Sequence, residues 1–412
     1  MSQLLIRCGK VFDGERLRPE PDLCIEVRDG RIASIGPARN NDQAAIKTIN
    51  ARDYTVLPGL IDAHFHAVSA SLDVSAIDRM HPSHRALGAR DHLEAALRRG
   101  FTTVRDAGGA DIGLVRATEE GLIDGPRLLI AGKALSQTGG HGDMRPGESV
   151  QLCGCGYSGA LSAVVDGADA MREKVRDQLR QGANHIKLFV SGGVLSPTDP
   201  IWMDQFSDEE IRAAVEEAAT RRTYVMAHAH TAQAAMRCAR NGVRSIEHGT
   251  LMNRESADVV AGTGAFVVPT MAIIESLHQT PLGLPPAALE KLAAIGDHAA
   301  AAVAHCRAAG VRLGLGTDLF GALRDQQSRE FEVRGRHESS LDVLRSATSV
   351  NAELIGLQGE VGTLRAGAAA DIIAVSGDPV TNVAELADPQ HNLKLVVHDG
   401  HVILNEIARS SL

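Results

Sequence analysis

The chain has 412 residues, 44% of them hydrophobic, which is enough for a large buried core in a single α/β barrel. Its formal net charge of −9 argues against a nucleic-acid partner, which normally requires a basic face. No apolar run is long enough to span a membrane, and residues 1–8 lack the basic stretch and long apolar run of a signal peptide.

The cysteines mostly occupy apolar strand or helix patterns, which is typical of reduced thiols in a cytoplasmic protein. Cys153 and Cys155 are close together in Cys-Gly-Cys-Gly, but no two further ligands follow at the regular spacing of a structural metal site. No structural metal is therefore expected there.

Short strand-like runs dominate both ends of the chain. Asp29-Gly30 separates two such runs near the start, and Asp399-Gly400 separates two near the end. Asp-Gly between alternating runs is a strong hairpin signal. The simplest interpretation is one small composite β-sandwich domain, formed by residues 1–57 together with residues 358–412.

Strand and helix patterns alternate through the middle of the chain. The predicted strands are 55–61, 101–105, 127–131, 185–190, 223–227, 244–247, 265–268 and 311–315. Ser207 and Glu210 form a capping box at the start of one intervening helix. Eight strands, each followed by a helix, predict a parallel (β/α)8 barrel over residues 58–357. Residues 136–163 and 269–287 are predicted loops after the third and seventh strands, where loops build an active-site mouth.

Two histidines follow the first predicted barrel strand. His64 and His66 are two residues apart in an extended segment, so both imidazoles can reach one ion. Two ordinary loop histidines are the alternative, and this motif alone does not decide. Further chemistry-bearing side chains end four other predicted strands, and barrel catalysis concentrates at that edge. They are Lys187, His228 with His230, His248 and Asp318. Any one of them is compatible with a structural role, but their joint placement favours a metal site.

The ligand types indicate which ions fit. Imidazole and carboxylate ligands favour zinc, manganese or iron over calcium or magnesium. Two neighbouring ions need a bridging anion, yet no spare carboxylate occupies the fourth strand. Lys187 lies there in a mostly apolar run, where burial of a charged ammonium is unfavourable. A carbamate formed from a lysine and carbon dioxide would supply the bridge.

A set of motifs resembles the amidohydrolase superfamily over nearly the whole chain. The matching positions are Pro58–His66 (PGLIDAHFH), Lys187, His228, His248, Gly316–Asp318 (GTD), Gly362–Gly367 (GTLRAG) and Ala370–Ile372 (ADI). The resemblance implies a barrel with a composite β-sandwich and two divalent metal ions, with zinc expected. It implies that His64, His66 and Asp318 hold one ion and that His228 and His248 hold the other. N6-carboxylated Lys187 would bridge the two.

Finer motifs narrow the branch of the superfamily. Gly139–Gly142 (GGHG), Ile186–Gly193 (IKLFVSGG) and Ala227–His230 (AHAH) resemble the group known as Xaa-Pro dipeptidases or imidazolonepropionase-like proteins. Members of that group characterised as enzymes cleave dipeptides or N-acyl amino acids. Many relatives carry Tyr at the position of His230, a departure that bears on how a substrate carboxylate is held.

The implied mechanism is attack on the amide carbonyl by a hydroxide shared between the two metals, because each cation lowers the pKa of bound water. Asp318 would accept the proton and pass it to the departing amine. His141 would donate to the carbonyl oxygen; a loop histidine bonded to backbone is the alternative. His230 would bind the substrate carboxylate or support a metal ligand. Ordinary surface or packing roles are expected for His81, His84, His92, His185, His278, His298, His305, His337, His391, His398 and His401.

The leading function is hydrolysis of the amide bond of a dipeptide or N-acyl amino acid, a small-molecule substrate. A free carboxylate on the substrate should be required, with donors from His141, His230 and the loop after the seventh strand. The alternatives are hydrolysis of another amide, a lactone or an ester, and a non-catalytic scaffold, which the complete ligand set disfavours. No nucleic-acid or membrane partner is expected, and the chain is expected to form a homo-oligomer.

Overall fold

The computed structural model describes residues 3–37, 47–147, 157–280, 282–296 and 298–407. Cys153, Cys155 and the middle of the predicted 136–163 loop lie outside these residues. The strands, in chain order, are β1 (Gln3–Val11), β2 (Leu23–Arg28), β3 (Arg31–Pro37), β4 (Lys47–Pro58), β5 (Leu60–Phe65), β6 (Phe101–Asp106), β7 (Arg127–Ile130), β8 (Ala134–Ser136), β9 (Ser162–Val164), β10 (Ile186–Phe189), β11 (Val225–Thr231), β12 (Ser245–Leu251), β13 (Phe266–Val268), β14 (Arg312–Leu313), β15 (Ile372–Val375), β16 (Leu393–His398) and β17 (His401–Asn405).

The α-helices lie mainly between the middle strands. In chain order they are α1 (Val74–Arg79), α2 (Pro82–Arg98), α3 (Ile112–Glu119), α4 (Ala168–Arg180), α5 (Asp208–Thr220), α6 (Ala232–Arg240), α7 (Arg254–Thr263), α8 (Met271–Gln279), α9 (Pro286–Ile295), α10 (His298–Ala309), α11 (Arg329–Gly335), α12 (Ser340–Arg345), α13 (Asn351–Leu354) and α14 (Pro389–Asn392). The capping box predicted at Ser207 and Glu210 begins α5, as expected.

Both ends of the chain contribute to one seven-stranded sheet, in the order β17-β16-β15-β4-β1-β2-β3. The two predicted hairpins are confirmed. In the first, Arg28 pairs with Arg31 around Asp29-Gly30, and in the second, His398 pairs with His401. Both turns have positive φ at their two central residues, 48° and 77° in the first, which is the backbone that Asp-Gly tolerates in a tight hairpin.

Parallel strands form the barrel. One sheet is β5-β6-β7, and the other has seven strands in the order β14-β13-β12-β11-β10-β8-β9. The barrel closes where the Ala63 amide donates to the Leu315 carbonyl at 2.9 Å and the Asp318 amide donates to the His64 carbonyl at 2.8 Å. The predicted α/β fold class, a (β/α)8 barrel with a sheet built by the termini, is therefore confirmed.

Several predicted element bounds were wrong. The predicted strand 55–61 is two elements, because the chain leaves β4 at Pro58 and enters β5 at Leu60. The third barrel position is also split, since β7 pairs with β6 and β8 with β10. The predicted 269–287 loop contains the helix α8, whose run of buried apolar residues packs into the barrel wall. Finally, β11 and β12 extend through the histidines that were predicted to follow them.

The barrel core consists mainly of two buried hydrophobic clusters. One surrounds β10 to β13 with α4 to α10, and the other surrounds β5 to β7 with α2 and parts of the terminal sheet. The four described cysteines are buried and form no disulfide with one another, as predicted: Cys8, Cys24, Cys238 and Cys306. Among the described residues, no helix combines the length and the apolar character needed to cross a membrane.

Candidate active site

The predicted metal ligands meet at the carboxyl edge of the barrel strands. His64 and His66 are at the end of β5, Lys187 is in β10, and Asp318 follows β14. Nε2 of His64 lies 3.3 Å from Asp318 Oδ1, and Nε2 of His66 lies 3.2 Å from the same oxygen. Together with His248, the ligand atoms of His64 and Asp318 lie within 4.8 Å of one another. The structure therefore places donors from opposite ends of the sequence around one small volume.

Ring contacts connect the remaining histidines to this group. The His64 and His248 ring centroids are 5.0 Å apart, and those of His228 and His248 are 4.6 Å apart. His230 lies 4.7 Å from His228, ring to ring, and 4.9 Å from His248. All the histidines predicted to be ligands are buried and line one pocket.

A hydrogen bond fixes each imidazole and leaves its other nitrogen for a ligand. Nδ1 of His66 bonds to the Gly108 carbonyl at 2.9 Å, and Nδ1 of His248 bonds to Thr270 Oγ1 at 2.7 Å. His228 is held the other way, by Nε2 against the Gly192 carbonyl at 3.1 Å, so Nδ1 is its free nitrogen. Burial lowers the pKa of His228 and His248 well below the usual value. They are therefore neutral, which is the form of imidazole that binds a metal.

Strained backbone occurs at the same place. His248, Thr270 and Asp318 have positive φ values of 71°, 47° and 55°. Such values are uncommon for residues other than glycine and cluster at functional sites. The αL turn at Asp318 accompanies the bond from its amide to the His64 carbonyl, which closes the barrel.

Lys187 lies in the pocket wall with 1% of its surface exposed. It forms no ion pair with the described residues, and its Nζ lies 5.6 Å from the centre of the Phe189 ring. Burial lowers the pKa of Lys187 to about 8. The side chain is thus an isolated buried amine close to the histidine cluster, which is an unfavourable position for a charged ammonium.

A buried charge pair beneath the cluster was not predicted as functional. Glu247 Oε2 lies 2.7 Å from Nδ1 of His64, and Arg105 Nη2 lies 2.9 Å from Glu247 Oε1. Both Glu247 and Arg105 have 0% exposure. The available signal was a charged residue inside an apolar strand pattern, which is the same signal that singled out Lys187.

His141 lies beside the cluster on the loop after β8. Its ring stacks on His228 at 4.3 Å, and its Nδ1 lies 2.8 Å from Ser196 Oγ and 3.5 Å from buried Asp199 Oδ2. This leaves Nε2 for a substrate. A Cβ added to Gly193 would lie 2.3 Å from the His141 ring, so the glycine in the Ser-Gly-Gly motif makes room for His141.

The supports of His141 were missed by sequence reasoning. Asp199 accepts from the Gly193 amide at 3.1 Å and from Gln205 Nε2 at 3.2 Å. Lys291 Nζ, from α9, donates to the Ser196 carbonyl at 2.8 Å and lies 3.8 Å from Asp199 Oδ1. Sequence reasoning did not find them, because His141 and Lys291 come from parts of the chain far from residues 193–205.

His230 is in β11, directly before the residue that caps α6. Its Nδ1 lies 3.0 Å from Thr250 Oγ1, so Nε2 is the nitrogen available to the pocket. Burial lowers the pKa of His230 to about 3. The buried imidazole is therefore a neutral group that can donate or accept one hydrogen bond.

The segment after β13 is mainly helical and presents apolar side chains to the pocket. Its described pocket-lining residues are Ile273, Ile274 and Leu277 of α8, together with Ile295 of α9. Thr270, the residue directly before α8, is bonded to His248 through its hydroxyl. The predicted loop is therefore largely a helix with an apolar face toward the pocket, and carboxylate recognition by this segment stays a prediction.

The observed arrangement agrees with the comparison to known proteins. Residues 55–403 match the Amidohydrolase family. The chain belongs to this family. It is therefore an amide-bond hydrolase. Its His64, His248 and Asp318 form a candidate metal-binding group.

Three relatives of this amidohydrolase are informative. Ochratoxinase of Aspergillus niger is 32% identical over 395 residues, which cover 92% of this chain and 82% of that protein. A prolidase crystallised with N-methylphosphonate-L-proline is 39% identical, with a TM-score of 0.94 over 98% of this chain and 100% of that one. A Xaa-Pro dipeptidase with methionine bound in its active site is 30% identical, with a TM-score of 0.88 over 97% and 99% of the two chains.

Proposed function

We propose that this amidohydrolase cleaves the amide bond of dipeptides or N-acyl amino acids with the help of two divalent metal ions. The observation that carries the proposal is the free-nitrogen pattern of the cluster. His66 and His248 present Nε2, His228 presents Nδ1, and the Asp318 carboxylate lies among them. This is a donor set of neutral imidazoles and a carboxylate, which suits zinc.

The donor set divides between two ions. His64, His66 and Asp318 would hold one, and His228 and His248 the other. Lys187, as an N6-carboxylysine, would bridge them, and this supplies the anionic oxygen ligands that its strand otherwise lacks. The metal ions, when bound, polarise the substrate carbonyl and lower the pKa of water.

The chain's own residues then orient the substrate and move protons. Asp318 accepts a proton at its carboxylate and delivers it to the departing amine. Nε2 of His141 donates to the carbonyl oxygen as negative charge develops there. Nε2 of His230 donates to the carboxylate of the C-terminal residue. Both imidazoles are held from behind, by Ser196 and Thr250 respectively, so neither has to reorganise.

The relatives support an amino-acid substrate. The prolidase was crystallised with a phosphonate derivative of proline and the dipeptidase with methionine, and both molecules contain an amino acid with a free carboxylate. Hydrolysis of another amide, a lactone or an ester is the second candidate. It stays open because metal ions act on the carbonyl group and do not select the acyl group attached to it.

A paired substrate library tests the proposal. Zinc-loaded protein should cleave dipeptides and N-acyl amino acids that have a free carboxylate, and their C-terminal amides should react far more slowly, because His230 then loses its anionic partner. Equal rates on the two series would contradict carboxylate recognition and favour the broader amide or ester activity.

A further inference from the structure

Above the histidine cluster, the pocket has two apolar faces that belong to different parts of the core. The first face is formed by Val74, Met144, Leu161 and Phe320, all members of the hydrophobic cluster around β5 to β7. The second face is formed by Val194, Leu195, Ile273, Ile274, Leu277 and Ile295, which belong to or pack against the cluster around β10 to β13. Each face is thus supported by its own packed core.

The polar cluster adjoins both faces. The Phe320 ring of the first face is 4.8 Å from the His66 ring. The second face adjoins the other side, because Val194 and Leu195 lie in the chain between Gly193 and Ser196, both of which contact His141. Similarly, Thr270 holds His248 directly before α8, the helix that carries Ile273.

The second face is held in place at its base. Glu330 of α11 accepts from the backbone amides of Met271 and Ala272, at 3.1 Å and 2.6 Å. These amides open α8, so the carboxylate fixes the start of the helix that carries the face. A preorganised wall loses little entropy when a ligand binds.

Among the described residues, neither face carries a side chain that could pair with a charge. Among the described residues that line the pocket, the charged side chains are Lys187 and Asp318, both within the catalytic cluster. Ser162, the remaining hydroxyl of the lining, already donates to the Gly142 carbonyl. Burial of an unpaired charged group is strongly unfavourable, so a charged substituent that reached either face would weaken binding.

We infer that both substituents of the scissile amide are bulky and apolar, the acyl group against one face and the side chain of the amino acid against the other. This inference rests on the proposed function and names its substrate class. The preferred compounds are N-acyl derivatives of aromatic or branched aliphatic amino acids, with the amino-acid carboxylate at His230.

A two-dimensional substrate matrix tests the inference. N-acetyl, N-butyryl and N-hexanoyl derivatives of Gly, Ala, Leu, Phe, Lys and Glu would be assayed on zinc-loaded protein. Burial of each added methylene should raise kcat/KM roughly threefold to fourfold until a face is filled. Leu and Phe derivatives should exceed those of Lys and Glu by about a hundredfold or more, because a charge without a partner opposes entry.

Two variants separate the faces. Phe320→Ala removes a large apolar side chain from the first face. Leu277→Ala removes one from the second face. Each should flatten the preference along one axis of the matrix and leave the other unchanged. Leu289→Ala is the matched control, since Leu289 of α9 is 50% exposed. Thermal melting and metal content would verify that each variant is folded and loaded.

The outcomes distinguish the inference from the function on which it rests. Turnover without discrimination between apolar and charged substituents would overturn the inference and leave amide hydrolysis intact. Loss of preference along both axes in a single variant would overturn the assignment of one face to each substituent. Failure to cleave any amide with both metals bound would overturn the proposed function, and the inference with it.

Discussion

The carboxylate of Glu247 lies 2.7 Å from Nδ1 of His64. Burial by itself would raise the pKa of Glu247, but the adjacent Arg105 and the bond to His64 lower it to about 2. The anion therefore persists in the core and keeps a proton on Nδ1 of His64. This directs Nε2 to Asp318, 3.3 Å away, and identifies Glu247 as the group that orients a proposed ligand.

The change Glu247→Gln should weaken metal binding by roughly 10-fold to 100-fold, the usual effect of removing a carboxylate behind a ligating histidine. We expect this effect because the neutral amide of Gln lacks the negative charge that stabilises the Nδ1–H form of His64. Zinc affinity measured by competition with a chelator checks the prediction. Glu255→Gln, at an exposed position of α7, is the control. An unchanged zinc affinity in the core variant would contradict the role of Glu247.

His228 and His230 are predicted to differ in their effect on metal content. Nδ1 of His228 is free for a ligand because Nε2 bonds to the Gly192 carbonyl. His228→Asn should therefore lose one metal along with activity. His230→Asn should keep both metals and lower kcat/KM. If metal loss follows the change at position 230 and spares position 228, the assignment is reversed.

Asp199→Asn should disturb His141 without removing metal. The carboxylate lies 3.5 Å from Nδ1 of His141 and anchors the loop through the Gly193 amide. We expect kcat to fall by about 10-fold, less than the roughly 100-fold expected for His141→Asn, the loss of a donor to the carbonyl oxygen. KM and zinc content should stay close to wild type. Asp204→Asn, at an exposed position in the same loop, is the control. A higher KM with an unchanged kcat in the Asp199 variant would contradict a positioning role.

The buried carboxylate of Asp371 should make the free energy of unfolding sensitive to acid. Burial opposes ionisation of Asp371, but His398 and Arg127 lower its pKa to about 2. Because the folded pKa is below the unfolded one, the contribution to stability is present above about pH 4 and is lost as the pH falls through about 2. Urea unfolding should show Asp371→Asn about 2 kcal/mol less stable than wild type at pH 6. The difference should narrow as the pH approaches 2, and a constant difference would contradict the assignment.

The positions of the proposed ligands could be predicted from the sequence because each lies at the end of a strand pattern. Parallel strands bring those ends to one edge, so His64, Lys187 and Asp318 were expected to meet although they are far apart in the chain. The supports of these residues could not be found in the same way. The Glu247–His64 and Asp199–His141 pairs depend on tertiary packing, which leaves no periodic signal.

Element bounds were the weaker part of the prediction. The Pro and Gly residues that flank α8 predict a loop. Its apolar run is short and is compatible with a strand or a loop as well as a helix. Thus the wall of the pocket was unforeseen, and donors were expected where the structure has Ile273 and Leu277. A homo-oligomer and a cytoplasmic location, which no feature described above tests, stay predictions.

Metal content tests the central claim most directly. Wild-type protein reconstituted with bicarbonate and excess zinc should contain two zinc ions per chain by elemental analysis and should be active. Lys187→Ala, which cannot form the bridging carbamate, should contain fewer ions and be inactive, and small carboxylates should partly restore its activity. Fully active wild-type protein that holds at most one zinc ion per chain after this treatment would contradict the two-metal account.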